Sequence, residues 1–125
     1  MRIGRLIDPR FQNIVRKLQT ADVPLKGAYK LKNIVNTMFN ELDKYEELRK
    51  SALDKYGKRN EAGEVEKDEN NNVIFADEQR AAFMAEITDL LNIDVAIPKM
   101  SVNDLGEDVL ISVDDLFFIE ELFQD

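Results

Sequence analysis

Residues 25–56 contain no proline and a single glycine, Gly27. Within them Leu31, Ile34, Val35, Met38, Leu42, Tyr45, Leu48, Ala52 and Tyr56 recur three and four positions apart. That spacing is one face of an α-helix, and the stripe is wider than a coiled-coil seam. Glu46 and Lys50 add an i,i+4 pair in the favourable order, and Gly57 offers a C′ stop. A helix of about 30 residues is roughly 45 Å long at 1.5 Å per residue. In a chain of 125 residues it is expected to protrude or to be wrapped by the rest.

Shorter elements flank this helix. Asp8-Pro9 is a helix start: Asp8 can accept the orphan N–H groups, and Pro9 fits the first helical position, where its missing N–H is not needed. Phe11, Ile14, Val15 and Leu18 then share one face. Pro24 disfavours helical geometry at Val23, so this helix should stop near Thr20. Residues 58–76 are polar and turn-rich. Short alternating pieces around Val65 and Val73-Ile74-Phe75 permit a small hairpin, and a disordered loop is the rival. Asp77 opens a third helix with Phe83, Met84, Ile87, Leu90 and Leu91 as its buried face. Ile93, Val95 and Ile97 alternate like a short strand ended by Pro98, and residues 1–7 are the other candidate strand. Ser101-Val102-Asn103-Asp104 and Ser112-Val113-Asp114-Asp115 both read as capping boxes. The first can start only one turn before Gly106. The second starts a terminal helix from Val113 to about residue 123.

A chain of this length is expected to form one domain with a core that needs no staples. It has no Cys and no His. Disulfides, thiol chemistry, the commonest general base and the commonest transition-metal ligand are therefore missing, which fits a reducing compartment. No apolar run approaches the ~18 residues of a membrane span. The start, Met1-Arg2-Ile3-Gly4-Arg5, has no apolar stretch behind it of the kind a secretory signal needs.

Charge is polarised along the chain. Residues 1–32 carry 8 Lys/Arg against 2 Asp/Glu, and residues 33–99 carry 9 against 15. Residues 100–125 carry 8 acids and no base, which equals the whole formal charge of −8. Such an acidic segment repels nucleic acid and anionic membrane and is steered towards basic surfaces. The basic third (Arg2, Arg5, Arg10, Arg16, Lys17, Lys26, Lys30, Lys32) could be a nucleic-acid footprint. Only Phe11 and Tyr29 lie among these bases as stacking groups, however, and no Gly-rich phosphate loop exists. Internal neutralisation by the acidic end is the favoured reading.

Two chemical motifs fail on inspection. Asp68-x-Asn70-x-Asn72 begins like a calcium loop, but Val73 stands where the sharp turn needs Gly, and Gln79 where a bidentate Glu is needed. A polar turn explains it. The paired acids Glu107-Asp108, Asp114-Asp115 and Glu120-Glu121 flank helix ends and a polar helix face, where capping and solvation account for them. A general acid–base pair needs two carboxyls in unlike environments inside a cleft. No catalytic residue, metal ligand or cofactor is assigned.

The terminal helix carries the candidate site. Val113, Leu116, Phe117, Phe118, Ile119, Leu122 and Phe123 are more apolar residues than one helix face needs. One side can pack on the core while Phe118 and Leu122 face a partner, rimmed by Asp114, Asp115, Glu120 and Glu121. A fully packed terminal helix is the alternative.

Several segments taken together resemble a family. Pro24-Leu25-Lys26-Gly27-Ala28-Tyr29-Lys30-Leu31 leads into the long helix. Tyr45-Glu46-Glu47-Leu48-Arg49 is followed by Lys55-Tyr56-Gly57. Glu86-Ile87-Thr88-Asp89-Leu90-Leu91-Asn92 runs into Val95-Ala96-Ile97-Pro98, and Ile111-Ser112-Val113-Asp114-Asp115-Leu116 closes the chain. In order and spacing these resemble small proteins encoded by tailed bacteriophages and prophages, a family without assigned function. The resemblance covers most of residues 24–123, and the first 23 residues match it only loosely. It implies expression in a bacterial host cytoplasm, with virion association as a further option. It carries over no catalytic or binding residue.

The expected architecture is a mainly α (α+β) single domain. A long central helix carries two or three shorter helices, with a small β-sheet, a polar excursion at 58–76 and an acidic segment at 100–125. The expected function is a phage-encoded, non-enzymatic protein–protein interaction protein, an assembly or accessory component that binds another phage protein or itself. The alternative is an acidic inhibitor that occupies the basic surface of a host nucleic-acid-binding or defence protein. No nucleic acid or membrane partner is expected.

Overall fold

The computed structural model describes residues 1–124. These residues are mostly helical. Five α-helices run as α1 (Ile3–Leu6), α2 (Pro9–Thr20), α3 (Leu25–Tyr56), α4 (Asp77–Leu91) and α5 (Val113–Phe118). Single 3-10 turns occupy Val102–Leu105 and Glu120–Leu122. The chain divides into two compact units, one of Met1–Leu42 with the residues from Asp94 onward, the other Asp43–Ile93.

In the first unit local chemistry sets the helices as the spacing predicts. Asp8 accepts the Arg10 N–H at 2.9 Å, Pro9 opens α2, and Phe11, Ile14, Val15 and Leu18 are all buried. They meet Leu31, Ile34, Val35 and Met38 from the first half of α3. Met100, Leu105, Ile119 and Leu122 close the same core from the C-terminal segment. A side chain at Gly27 would collide with the backbone carbonyl of Asp104, so this glycine is what lets the 102–105 turn lie against α3.

The expected small sheet is not formed. Among the described residues the pairing consists of four isolated bridges, Arg2 with Asp94, Arg59 with Val65, Lys67 with Val73, and Met100 with Phe123. Residues 1–7 are not a strand. Ile3 and Leu6 are spaced i,i+3, both are buried, and the chain between them winds into α1. Residues 93–97 pair only where Met1 and Val95 exchange hydrogen bonds of 3.1 and 2.8 Å. With α1 turning away after Arg2 and Pro98 unable to donate, a longer ladder has no partner.

In the second unit, Tyr45 and Ala52 are the buried positions of the predicted stripe, while Leu48 is exposed. Glu46 pairs with Arg49 at 3.2 Å, one position earlier than the predicted Lys50. Gly57 ends α3 without a positive φ. Its missing side chain serves a different purpose: a Cβ there would lie 2.8 Å from Val65 Cγ1 and 2.9 Å from Val73 Cγ1.

Those two valines belong to an ordered polar excursion, built as two copies of one turn eight residues apart. Asn60 Oδ1 accepts the N–H groups of Ala62 and Glu64, and Asp68 Oδ1 accepts those of Asn70 and Asn72. The left-handed position falls three residues on in each, at Gly63 (φ 79°) and Asn71 (φ 65°). The Asp68-x-Asn70-x-Asn72 segment is thus a turn tied by its own carboxylate.

α4 departs from expectation on one side. Phe83 stacks on Phe75 at 4.8 Å between ring centroids, and Ile87, Leu90 and Leu91 are half-buried. Met84, read as buried, is exposed.

Candidate interaction surface

The acidic C-terminal segment turns back onto the basic N-terminal third. Ser101 and Asp104 close a reciprocal capping box around the 102–105 turn. The Lys30 Nζ donates to Asp104 Oδ2 at 2.9 Å, and the Ser101 N–H donates to the same oxygen at 3.0 Å. The Lys30 hydrogen bond, helped by that of Ser101, holds the Asp104 carboxyl below the usual carboxylate range.

α5 repeats the arrangement with one change. Ser112 Oγ accepts the Asp115 N–H at 3.0 Å. The Asp115 carboxylate lies 3.6 Å from Arg10 and 3.7 Å from Lys17, and Glu121 lies 3.6 Å from Arg5. The Arg5 and Arg10 guanidiniums both sit over the Phe118 ring, 4.5 and 4.4 Å from its centroid. Among the described residues Arg5, Arg10, Lys17 and Lys30 therefore find carboxylates of the segment beyond residue 100, the internal neutralisation expected from sequence.

This geometry re-sorts the six candidate partner residues. Leu122 is 0% exposed and belongs to the core, not to the partner surface expected of it. The terminal helix does not run on to 123. Ile119 (φ −108°, ψ 14°) breaks it, and the following 3-10 turn drives both Ile119 and Leu122 inward. Phe118 is half-buried under the two guanidiniums rather than left open. Asp115 and Glu121 face the chain's own bases, whereas Asp114 and Glu120 are exposed. The open aromatic is instead Phe117, 64% exposed, on one side of α5 with Val113 at 70%, and Leu110 just before it at 97%.

A second apolar surface lies between α2 and α3. A groove of about 470 Å³ is bounded by Leu18, Val23, Leu31, Val35 and Phe39, with Asp22 and Lys32 at its edge. A smaller depression of about 110 Å³ continues it past Arg16 to Leu42, sharing Gln19, Val35 and Phe39. Phe39 forms the wall between them and is 57% exposed. No family model, curated protein or solved structure matches the chain. The surface must therefore be read from its own chemistry.

The sequence signal for this groove was present. Lys32, Asn36 and Phe39, which line the groove, continue at helical spacing a stripe begun by Leu25 and Tyr29, which lie outside it, on a face of α3 away from the buried one. Leu25 and Tyr29 are exposed with Phe39. Among the described residues no helix is long and apolar enough to cross a membrane, and no group of three or more Asp/Glu side chains is placed to hold a metal ion.

Proposed function

We propose that this chain is a non-enzymatic protein–protein interaction protein, a phage- or prophage-encoded assembly or accessory component working in the bacterial host cytoplasm. The observation that carries the reading is the apolar groove between α2 and α3, walled by the exposed Phe39. Exposed large apolar residues grouped on one surface favour a protein partner. The rival, an acidic inhibitor mimicking nucleic acid, needs its carboxylates spread over an exposed face. Asp104, Asp115 and Glu121 instead turn to Lys30, Arg10, Lys17 and Arg5 of the same chain, which weakens that alternative. The phage origin rests on the sequence resemblance alone.

The test is co-purification of tagged protein from infected or prophage-induced cells, with Phe39→Asp as the matched control. Recovery of a specific protein by the parent and its loss with Phe39→Asp is expected. Equal recovery by both, or recovery that a basic competitor such as polylysine abolishes, would move the function away from the groove and back to the acids.

A further inference from the structure

The chain carries both a socket and a plug of matching chemistry. The groove between α2 and α3 has apolar walls interrupted by Gln19 and Asn36, and the bases lining it and its smaller continuation, Lys32 and Arg16, make no ion pair among the described residues. One acid, Asp22, lines the groove as well. α2 itself contains no acid. The plug is the exposed ridge of Leu110, Val113 and Phe117. Its neighbours in sequence are acids: Asp108, Asp114 and Glu120 are exposed, no base occurs from residue 100 on, and the bases packed on α5, Arg10 and Lys17, face Asp115.

We propose that the groove is the docking site for the Leu110–Val113–Phe117 ridge of a second copy of this chain. This deepens the interaction reading and rests on it. Two observations choose a second copy over an unrelated partner. The groove offers apolar walls edged by unpaired bases, and the chain's own most exposed apolar ridge is flanked by unpaired acids. Nor can either surface satisfy itself by pairing with its own kind. Two grooves would bring Arg16 and Lys32 against like charge, and two ridges would bring Asp114 and Glu120 together. The contact is therefore groove to ridge: it closes as a twofold dimer if the two copies exchange ridges reciprocally, and otherwise repeats into a ring or an open chain. The walls of the groove run from Ala28 to Leu42 on α3, about 21 Å at 1.5 Å per residue. That length accommodates the six residues of α5 and the three residues before it.

The experiment is sedimentation equilibrium on the full chain over micromolar to submillimolar concentration, with two single-site variants. Phe117→Asp removes the plug and leaves the groove. Phe39→Asp spoils the groove and leaves the plug. Both sites are exposed, and circular dichroism melts check that each variant folds; Lys32→Glu replaces Phe39→Asp should the latter melt early. The parent is expected to show mass rising with concentration to a dimer or beyond, with association weakened by salt. Each variant alone is expected to stay monomeric, its dissociation constant raised by about tenfold or more. The equimolar mixture is expected to form a one-to-one heterodimer and nothing larger, because only one intact groove and one intact plug remain between them. A parent that stays monomeric throughout overturns the proposal, as do variants that assemble like the parent or a mixture that stays monomeric. The groove as a site for cellular partners fails separately, through equal recovery of cellular protein by the parent and Phe39→Asp.

Discussion

Lys30 Nζ and Asp104 Oδ2 meet at 2.9 Å across 74 residues of sequence. The pair joins the first turns of the long helix to the only reciprocally capped turn among the described residues. It sits where Gly27 brings the helix backbone against the Asp104 carbonyl. This is the point at which the charge polarity of the sequence becomes a tertiary contact.

The pair fixes a pH dependence. Asp104 is held below its ordinary value, chiefly by the Lys30 hydrogen bond. A carboxyl depressed on folding contributes stability that is present above its unfolded value, about 3.9, and is lost as pH falls through the lower folded value. Asp104→Asn is therefore expected to melt below the parent at neutral pH. The difference should shrink as both are acidified below about pH 4. Thermal melts of the two proteins across that range check it, and a gap that stays constant with pH would remove the ionic part of the argument.

The two phenylalanines of α5 separate core from surface. Phe118→Ala removes a half-buried ring that holds both Arg5 and Arg10, so it should cost about 2 kcal/mol. Phe117→Ala trims an open side chain and should change stability by less than about 0.5 kcal/mol. Urea unfolding at matched protein concentration, low enough to keep both monomeric, measures the contrast. Equal losses would mean the terminal segment packs on its other side.

The long helix supplies a second contrast. Met38 is buried in the first unit's core and Leu48 is exposed, although both lie on the stripe that periodicity marks as apolar. Met38→Asp should cost several kcal/mol of a total of about 5–15, through burial of an unpaired charge. Leu48→Asp should be close to neutral. Chemical denaturation of the pair decides, and comparable losses would restore Leu48 to the core.

These cases show how far the sequence carries. The caps at Asp8, Ser101 and Ser112, and the bounds of α2 and α3, follow from local chemistry and were legible. The paired polarity of the two ends was legible as charge balance. What was not legible depends on long-range geometry. Periodicity gave Leu48 and Met84 the same standing as Met38, because a stripe does not say where covering elements end. The break at Ile119 has no Gly or Pro to announce it. Gly57 stands at the helix stop as the spacing predicts, but the two valines that leave no room for a side chain there arrive from a duplicated turn that periodicity does not show. The candidate site moved from Phe118 and Leu122 to Phe117, because the aromatic run alone could not say which ring the guanidiniums would take.

The acidic segment is part of the first unit's core rather than a detached tail. Amide hydrogen exchange tests this directly. The Met100 N–H donates to the Leu122 carbonyl at 2.9 Å, and the Gln124 N–H returns to the Met100 carbonyl at 2.9 Å. Both are predicted to exchange with protection comparable to that of Ile14 and Val15 in α2, because all four open only when the shared core opens. Exchange of Met100 and Gln124 at the rate of an unstructured chain, with Ile14 and Val15 still protected, would contradict it.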